Sequence, residues 1–182
     1  METVQFYNGR EMPKVGLGTY RVENGDQCKD AVKHAIENGY RSIDTAKIYG
    51  NEEMVGQGIK EGLASTGLKR DDLFITSKLW LEDYGRNNVA QAYETTIHKL
   101  GLDYLDLYLM HWPGTNEAVM IDTWQGMEDL YKDNKSIRER INELGNIFDS
   151  ILSNIRYINF FFEMESHSAA QARVQWHDLG SL

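Results

Sequence analysis

A strand-like segment recurs about every 32 residues in this sequence, and each copy is followed by a segment with helical periodicity. The strand-like segments are YRSIDTA from residue 40, DLFITSK from residue 72 and YLDLYLMH from residue 104. The helical patterns run from Glu52 to about Ala64, from Asn88 to Leu100 and from Glu117 to about Lys132. Because a strand followed by a helix is the unit of parallel sheets, this repeat restricts the chain to an α/β fold.

The first forty residues predict a hairpin, a short strand and a helix ahead of the repeat. VQFYNGREMPKV holds two extended runs around Asn8-Gly9, a strong hairpin signal because both central positions of a type I′ turn need positive φ. VGLGTY then predicts a short buried strand, and Asp26 is expected to cap a helix through about Asn38 that Gly39 ends. With VGLGTY counted, the sequence predicts about four βα units.

Such units can form a doubly wound open sheet or a barrel, and the polar residues at the strand ends favour the barrel. The three repeated strands end near Asp44, Lys78 and His111. In a (β/α)8 TIM barrel the carboxyl ends of the strands converge on one face, where the active site lies. An open sheet more often shows G-x-G-x-x-G after its first strand, and GLGTYRV lacks the third glycine.

The repeat breaks at about residues 136–139, where a fifth strand is due. Apolar residues at helical spacing follow instead, at Ile141, Leu144, Phe148, Ile151, Leu152 and Ile155. A complete barrel needs roughly 250 residues, whereas the sequence has 182. We therefore expect a truncated barrel at residues 1–138, and a divergent helical segment with a disordered tail at residues 139–182.

Composition and charge argue against several classes of partner. The net charge of −9 disfavours nucleic acid, which requires a basic patch. The longest apolar run, YINFFF, is too short to span a membrane. The histidines and the single cysteine, Cys28, lack the spacing of a metal site. We expect no bound metal because of that spacing. One cysteine cannot form an internal disulfide, so we expect a cytoplasmic protein.

The strand-end residues supply the groups that reduction of a carbonyl by hydride requires. A tyrosine can protonate the developing alkoxide, although the ordinary pKa of its hydroxyl is about 10. A nearby lysine ammonium lowers the pKa of such a hydroxyl, and an aspartate keeps the lysine charged and oriented. A histidine can hydrogen-bond the carbonyl oxygen and position the substrate. Tyr49, Lys78, Asp44 and His111 supply one residue for each role.

Three motifs, SIDTAKIYGNE, ITSKLW and YLMHWP, resemble the N-terminal motifs of the aldo-keto reductases, and MPKVGLGTY resembles their first barrel strand. The resemblance covers about residues 3–138. It implies a (β/α)8 barrel that uses NADPH, without a Rossmann fold, to reduce aldehydes and ketones. It also implies that Tyr49 is the general acid, that Lys78 and Asp44 tune it, and that His111 orients the small carbonyl substrate.

The same resemblance implies how cofactor and substrate are held. The implied cofactor contacts are Gly18, Thr19, Tyr20 and Asp44, since the first-strand loop of the family lies near nicotinamide and substrate. The substrate pocket is implied to be walled by Tyr20, Trp80 and Trp112.

After Arg138 the sequence departs from the family pattern. In the family, KSIR is followed directly by a fifth strand of the type I-G-V-S-N-F. In this sequence KSIR is followed by ERINELGN instead. The serine and asparagine that hold the nicotinamide carboxamide are therefore absent, as is the later segment that grips the adenosine 2′-phosphate. The final FFFEMESHSAAQARVQWHDLGSL resembles the translation of an Alu-type interspersed repeat.

Two interpretations stay open at this point. One is an NADPH-dependent oxidoreductase, and the other is a catalytically silent fragment that lacks most of the cofactor site. A third, an α/β binding module with an open sheet, explains the repeat but gives the four polar residues no role. A barrel of four strands would have two unpaired sheet edges, through which such a chain could self-associate.

Overall fold

The computed structural model describes residues 2–6 and 11–133 of the chain. In chain order the elements are β1 (Thr3–Gln5), β2 (Glu11–Pro13), β3 (Leu17–Gly18), α1 (Asp26–Glu37), β4 (Ser42–Asp44), α2 (Glu52–Thr66), β5 (Phe74–Leu79), α3 (Val89–Leu100), β6 (Leu107–Met110) and α4 (Glu117–Asp133). Short 3-10 turns occupy Lys47–Tyr49, Arg70–Asp72 and Leu81–Asp83.

Strands β3 to β6 form one parallel sheet in the order β3-β4-β5-β6. The spatial order follows the chain order, as it does in a barrel, whereas a doubly wound sheet reverses direction at a switch point. The predicted α/β class with a parallel sheet is confirmed. That these strands belong to a truncated (β/α)8 barrel stays a prediction, because the described strands form one open sheet of four.

The N-terminal prediction is correct in its strands. β1 and β2 pair antiparallel, with Val4 opposite Met12, and the Asn8-Gly9 turn between them lies outside the described residues. The predicted break near residue 136 and the segment at 139–182 also lie outside them.

Two local predictions are wrong. The predicted buried strand VGLGTY is reduced to Leu17–Gly18, which is not buried, because the chain turns directly after it, where the amide of Val22 donates to the carbonyl of Thr19. Asp26 is not the helix cap: Gly25, at φ 149°, occupies that position, and Asp26 begins the helix and pairs with Lys29 at 3.1 Å. An acidic side chain in the first turn still favours the helix, through the helix dipole.

Helices α1 and α2 pack closely because α2 presents glycines to α1. A Cβ added at Gly58 would lie 2.5 Å from the carbonyl oxygen of Lys29, and one at Gly62 would lie 2.9 Å from Cδ1 of Ile36. The helices cover one face of the sheet, where Ile75 and Leu79 are fully buried. Because side chains alternate along a strand, Lys78 points to the opposite, inner face.

Candidate active site

Three of the predicted polar side chains stand at the carboxyl ends of neighbouring strands. Asp44 is the last residue of β4, Lys78 is the penultimate residue of β5, and His111 directly follows β6. The parallel ladder continues past the strand ends, since the backbone amide of His111 donates to Leu79 at 3.0 Å. The register of the sheet therefore brings the three residues to one edge.

The ammonium of Lys78 is held by three oxygen atoms. Its Nζ donates to Oδ1 of Asp44 at 2.6 Å, to the hydroxyl of Tyr49 at 3.0 Å and to the backbone carbonyl of Thr45 at 3.2 Å. An ammonium has three donors, so these contacts use all of them and fix its orientation. The Lys78 side chain is only 13% exposed.

Burial and charge act on Lys78 in opposite directions. Burial by itself lowers the pKa of the Lys78 ammonium, whereas the charge of Asp44 and the neighbouring Tyr49 oxygen raise it. The opposing charge wins, and the pKa of Lys78 lies above its ordinary value. Lys78 therefore stays positively charged near neutral pH, beside the hydroxyl of Tyr49.

Tyr49 is positioned by the 3-10 turn that follows β4. The backbone amide of Tyr49 donates to Ala46 at 3.0 Å, and Gly50 ends the turn at φ 69°, a conformation that glycine adopts without steric cost. The Tyr49 ring lies 5.1 Å from the ring of Tyr20, centroid to centroid, and 5.5 Å from that of His111. The turn thus holds the phenol between the end of β6 and the loop that follows β3, which we call the first-strand loop because β3 corresponds to the first barrel strand of the resemblance.

His111 lies between two aromatic side chains. Its ring meets the Tyr49 ring edge-on, at an interplanar angle of 83°. Its centroid also lies 5.1 Å from that of Trp80, at an interplanar angle of 74°. Trp80 directly follows β5, so the structure brings Tyr49, His111 and Trp80 into one group.

The first-strand loop borders the same group. Gly18 pairs with Asp44 across the sheet, and a Cβ added at Gly18 would meet nothing within 4 Å. Thr19 is buried, and its amide and hydroxyl both donate to the backbone carbonyl of Asp44, at 2.9 and 3.2 Å. Tyr20 is 51% exposed. The loop therefore offers an accessible backbone at Gly18 and an exposed aromatic ring at Tyr20.

Trp112 lies beside His111, and its side chain is partly exposed. Its backbone carbonyl accepts a hydrogen bond from the hydroxyl of Tyr84. Burial raises the pKa of Tyr84 to about 12, so the hydroxyl keeps the proton that it donates. This contact fixes the backbone after β6 against the loop that precedes α3.

Two buried residues next to Tyr49 were not predicted as part of the site. Asn51 is fully buried, and its side-chain amide bonds to the first-strand loop. Glu52 is 2% exposed and accepts a hydrogen bond from Oγ of Ser77 at 2.8 Å. Their signal is in the motif YGNE, but polar residues at the start of a helix are usually caps or solvated.

The described part of the chain shows no metal site and no membrane-spanning helix. In residues 2–6 and 11–133, no group of three or more histidine, cysteine, aspartate or glutamate residues could hold a metal ion. None of the helices in these ranges is both long enough and apolar enough to cross a membrane.

Comparison with known proteins points to one family. Residues 14–135 match the aldo/keto reductase family. The chain is 55% identical over 134 residues to the glyoxal reductase of Bacillus subtilis. The matched region covers 74% of this chain and 46% of the relative. The chain therefore spans about half the length of this relative.

Solved structures show the same likeness. An aldo/keto reductase from Brucella melitensis is 41% identical and superposes with a TM-score of 0.67. The superposition covers 72% of this chain and 48% of the other. The Bombyx mori aldo-keto reductase AKR2E4, solved in complex with NADP, is 42% identical, with a TM-score of 0.65 over 72% of this chain and 47% of the other.

Proposed function

Since the chain belongs to the aldo/keto reductase family, we propose that its strand-end site protonates the oxygen of an aldehyde or ketone as the carbonyl carbon is reduced to an alcohol. The observation that carries this proposal is the Lys78 ammonium, which bonds to the Tyr49 hydroxyl and the Asp44 carboxylate at once. This arrangement links a proton donor to a fixed positive charge.

Tyr49 is the proposed general acid. As negative charge develops on the carbonyl oxygen, the Tyr49 hydroxyl transfers its proton to that oxygen and becomes a phenolate. The Lys78 ammonium, 3.0 Å from the Tyr49 oxygen, stabilises this phenolate without having to move. Because Asp44 keeps Lys78 charged in a buried position, its role is to maintain that stabilisation.

His111 is proposed to orient the carbonyl group. Its ring contacts Tyr49 on one side and Trp80 on the other, so a carbonyl oxygen held by His111 would lie next to the Tyr49 ring. Trp80, Tyr20 and Trp112 are proposed to wall the substrate pocket. Tyr20 and Trp112 are exposed, so they can contact a substrate that enters from solvent.

NADPH is the proposed cofactor, and when bound its nicotinamide supplies the hydride. The first-strand loop fits the nicotinamide end, because the backbone at Gly18 is open to a ligand and Tyr20 lies exposed beside Tyr49. Gly18, Thr19, Tyr20 and Asp44 are the residues proposed to lie at this end of the cofactor. The described residues that suit it therefore surround the reacting groups.

The second candidate is a catalytically silent chain that keeps the proton-donor group but binds NADPH weakly. The observation that favours it is in the sequence, because ERINELGN follows Arg138 where the family pattern continues into a fifth strand. In this interpretation the sheet edges can pair with a second copy, and the chain would elute as a dimer or larger species. A cytoplasmic location is proposed under either interpretation, because one cysteine permits no internal disulfide.

Titration of the full chain with NADPH, read by protein fluorescence, tests the two candidates. The oxidoreductase predicts micromolar binding, with NADPH oxidation when glyoxal is added, and loss of oxidation in Tyr49→Phe. Tyr40→Phe is the matched control, because Tyr40 lies before β4, at the other end of the sheet. Absence of NADPH binding, with aggregated elution in size-exclusion chromatography, would overturn the oxidoreductase.

A further inference from the structure

The loop after β3 contains a strained turn at the site. The amide of Val22 donates to the carbonyl of Thr19 at 3.2 Å and closes a turn around Tyr20 and Arg21. Arg21 has φ 60°, and no other residue except glycine has positive φ in the described part of the chain. Side chains disfavour this left-handed region, so such a turn persists only when its surroundings hold it.

The side chain of Asn51 bonds to both ends of this turn. Its Nδ2 donates to the carbonyl of Thr19 and to the carbonyl of Val22, each at 2.9 Å. Its Oδ1 accepts a hydrogen bond from Oγ1 of Thr45 at 3.4 Å. Asn51 is fully buried, and its side chain does not cap α2, although it occupies the cap position.

The turn carries the aromatic ring that covers Tyr49. The ring of Tyr20 lies 5.1 Å from that of Tyr49, centroid to centroid, and the guanidinium of Arg21 lies 5.1 Å from the Tyr20 ring centroid. Tyr20 is half exposed, and the backbone of the turn sets the point from which its side chain extends. The geometry of the turn therefore decides where the Tyr20 ring stands.

We propose that Asn51 is a positioning residue that holds the Thr19–Val22 turn in its strained conformation and so keeps the Tyr20 ring against Tyr49. The inference rests on the proposed function in one respect only, the role of Tyr49 as proton donor. Asn51 and Tyr49 stand two residues apart, on the two sides of Gly50. One short segment thus carries the donor and also sets the position of the ring beside it.

The chemistry of the amide makes the inference testable with a change of few atoms. In Asn51→Asp the shape is kept, but an ionised carboxylate has no donor for the two carbonyl groups and repels them. The turn should then relax, and Tyr20 should leave Tyr49. Arg21→Gly should oppose this relaxation, because glycine adopts positive φ without steric cost. Arg21→Ala is the matched control, since it removes the guanidinium and keeps the Cβ.

The test is ¹⁹F NMR of the full chain labelled with 3-fluorotyrosine. The Tyr49 resonance is identified by its loss in Tyr49→Phe, and Tyr20→Leu should shift it in the unmodified chain. In Asn51→Asp we expect the Tyr49 resonance to have moved already, with the further shift from Tyr20→Leu lost. When Arg21→Gly is added to Asn51→Asp, Tyr20→Leu should again shift the Tyr49 resonance in part. When Arg21→Ala is added instead, Tyr20→Leu should not shift it.

The inference is overturned if Tyr20→Leu shifts the Tyr49 resonance equally in the unmodified chain and in the Asn51→Asp variant, or if Arg21→Ala restores the shift as well as Arg21→Gly. If Asn51→Asp fails to fold, the thermal midpoint of the chain with Asn51 intact decides. Arg21→Gly should raise this midpoint relative to Arg21→Ala, and an equal or lower midpoint would contradict a strained turn. None of these signals requires reduction of a carbonyl, so failure of the proposed function leaves the outcome readable.

Discussion

The two faces of strand β5 treat a charge in opposite ways. On the inner face Lys78 keeps its proton, because the carboxylate of Asp44 lies 2.6 Å from its Nζ and offsets the effect of burial. On the outer face Ser77 donates to Glu52, a carboxyl group that is 2% exposed and whose pKa is raised by burial. The opposite charge outweighs burial at Lys78, whereas burial outweighs the hydrogen bond from Ser77 and the lysine charges that act on Glu52.

This difference explains how one strand can serve both a site and a core. The inner face tolerates charged groups, because the strand ends open toward solvent and Asp44 is 42% exposed. The outer face lies under the helices, where Ile75 and Leu79 are fully buried. We therefore expect substitutions on the inner face to change the rate of reduction. Substitutions on the outer face should change the free energy of unfolding.

The largest expected effect is on the inner face, in Lys78→Met. Without the ammonium the Tyr49 phenolate loses its stabilising charge, so we expect NADPH-dependent reduction of glyoxal to fall by about 10²–10⁴-fold, the usual contribution of a general acid. The measurement is the rate of NADPH oxidation. Lys60→Met, at an exposed position of α2, is the control and should keep its rate. If Lys78→Met reduces glyoxal at the same rate as Lys60→Met, Lys78 has no role in the reaction.

On the outer face, Gly58→Ala tests the close packing of α1 on α2. The added Cβ would lie 2.5 Å from the Lys29 carbonyl, so the helices must move apart. We expect the free energy of unfolding to fall by about 1–3 kcal/mol, as in other overpacked cores, measured by urea denaturation. Gln57→Ala, at an exposed position of the same helix, should change it by less. Equal effects of the two substitutions would contradict the close packing.

The buried carboxyl on the outer face is tested by Glu52→Gln. Because the folded pKa of Glu52 is raised above the unfolded value of about 4.3, the folded chain holds a proton that the unfolded chain releases. The resulting stability is fully present below the unfolded pKa and is lost as pH rises through the folded pKa. Glutamine does not ionise, so Glu52→Gln should gain stability relative to the unmodified chain as pH rises.

Urea denaturation at pH 4, 6 and 8 measures this effect. The free energy of unfolding of Glu52→Gln minus that of the unmodified chain should increase from the lowest pH to the highest. For Glu53→Gln, the exposed neighbour, the same quantity should not change with pH. A constant difference across the three pH values would contradict a raised pKa of Glu52 in the folded chain.

The smallest expected effect is at the rim of the inner face, in Lys47→Met. Lys47 joins the loop that carries Tyr49 to the loop after Trp80, through Glu82 at 2.7 Å and Asp83 at 2.5 Å. Partly exposed ion pairs contribute about 0.2–1 kcal/mol and are screened by salt. Urea denaturation should show a loss of this size at low salt and none at high salt. A loss that persists at high salt would point to packing of the Lys47 side chain instead.

The order of the elements could be predicted from the sequence because the repeat is long and regular. The repeated strands and the helices α2, α3 and α4 could be predicted from periodicity. The residues at the strand ends could be predicted to lie close together, because the carboxyl ends of parallel strands converge. Asp44, Tyr49, Lys78 and His111 lie together for that reason. Their roles in catalysis stay predictions.

Features that depend on tertiary contacts could not be predicted. Asn51 has the sequence context of a helix cap, and only the folded loop shows that its amide bonds to Thr19 and Val22 instead. Strand β3 is shorter than predicted, because strand propensity does not reveal the turn that follows it, in which the amide of Val22 donates to the carbonyl of Thr19. Asp26 is a residue type typical of a helix cap. The sequence does not show that Gly25 takes the cap position instead, because that depends on the backbone conformation of Gly25.

The charge of Lys78 is the central claim, and titration of its Nζ by ¹⁵N NMR of the full chain tests it most directly. We predict that Lys78 loses its proton above the ordinary lysine value of about 10.4, and that Asp44→Asn lowers this value because it removes the largest of the charges that offset burial. Titration of Lys78 at or below the ordinary value in the unmodified chain, or no change in Asp44→Asn, would contradict the claim that Asp44 preserves the ammonium beside Tyr49.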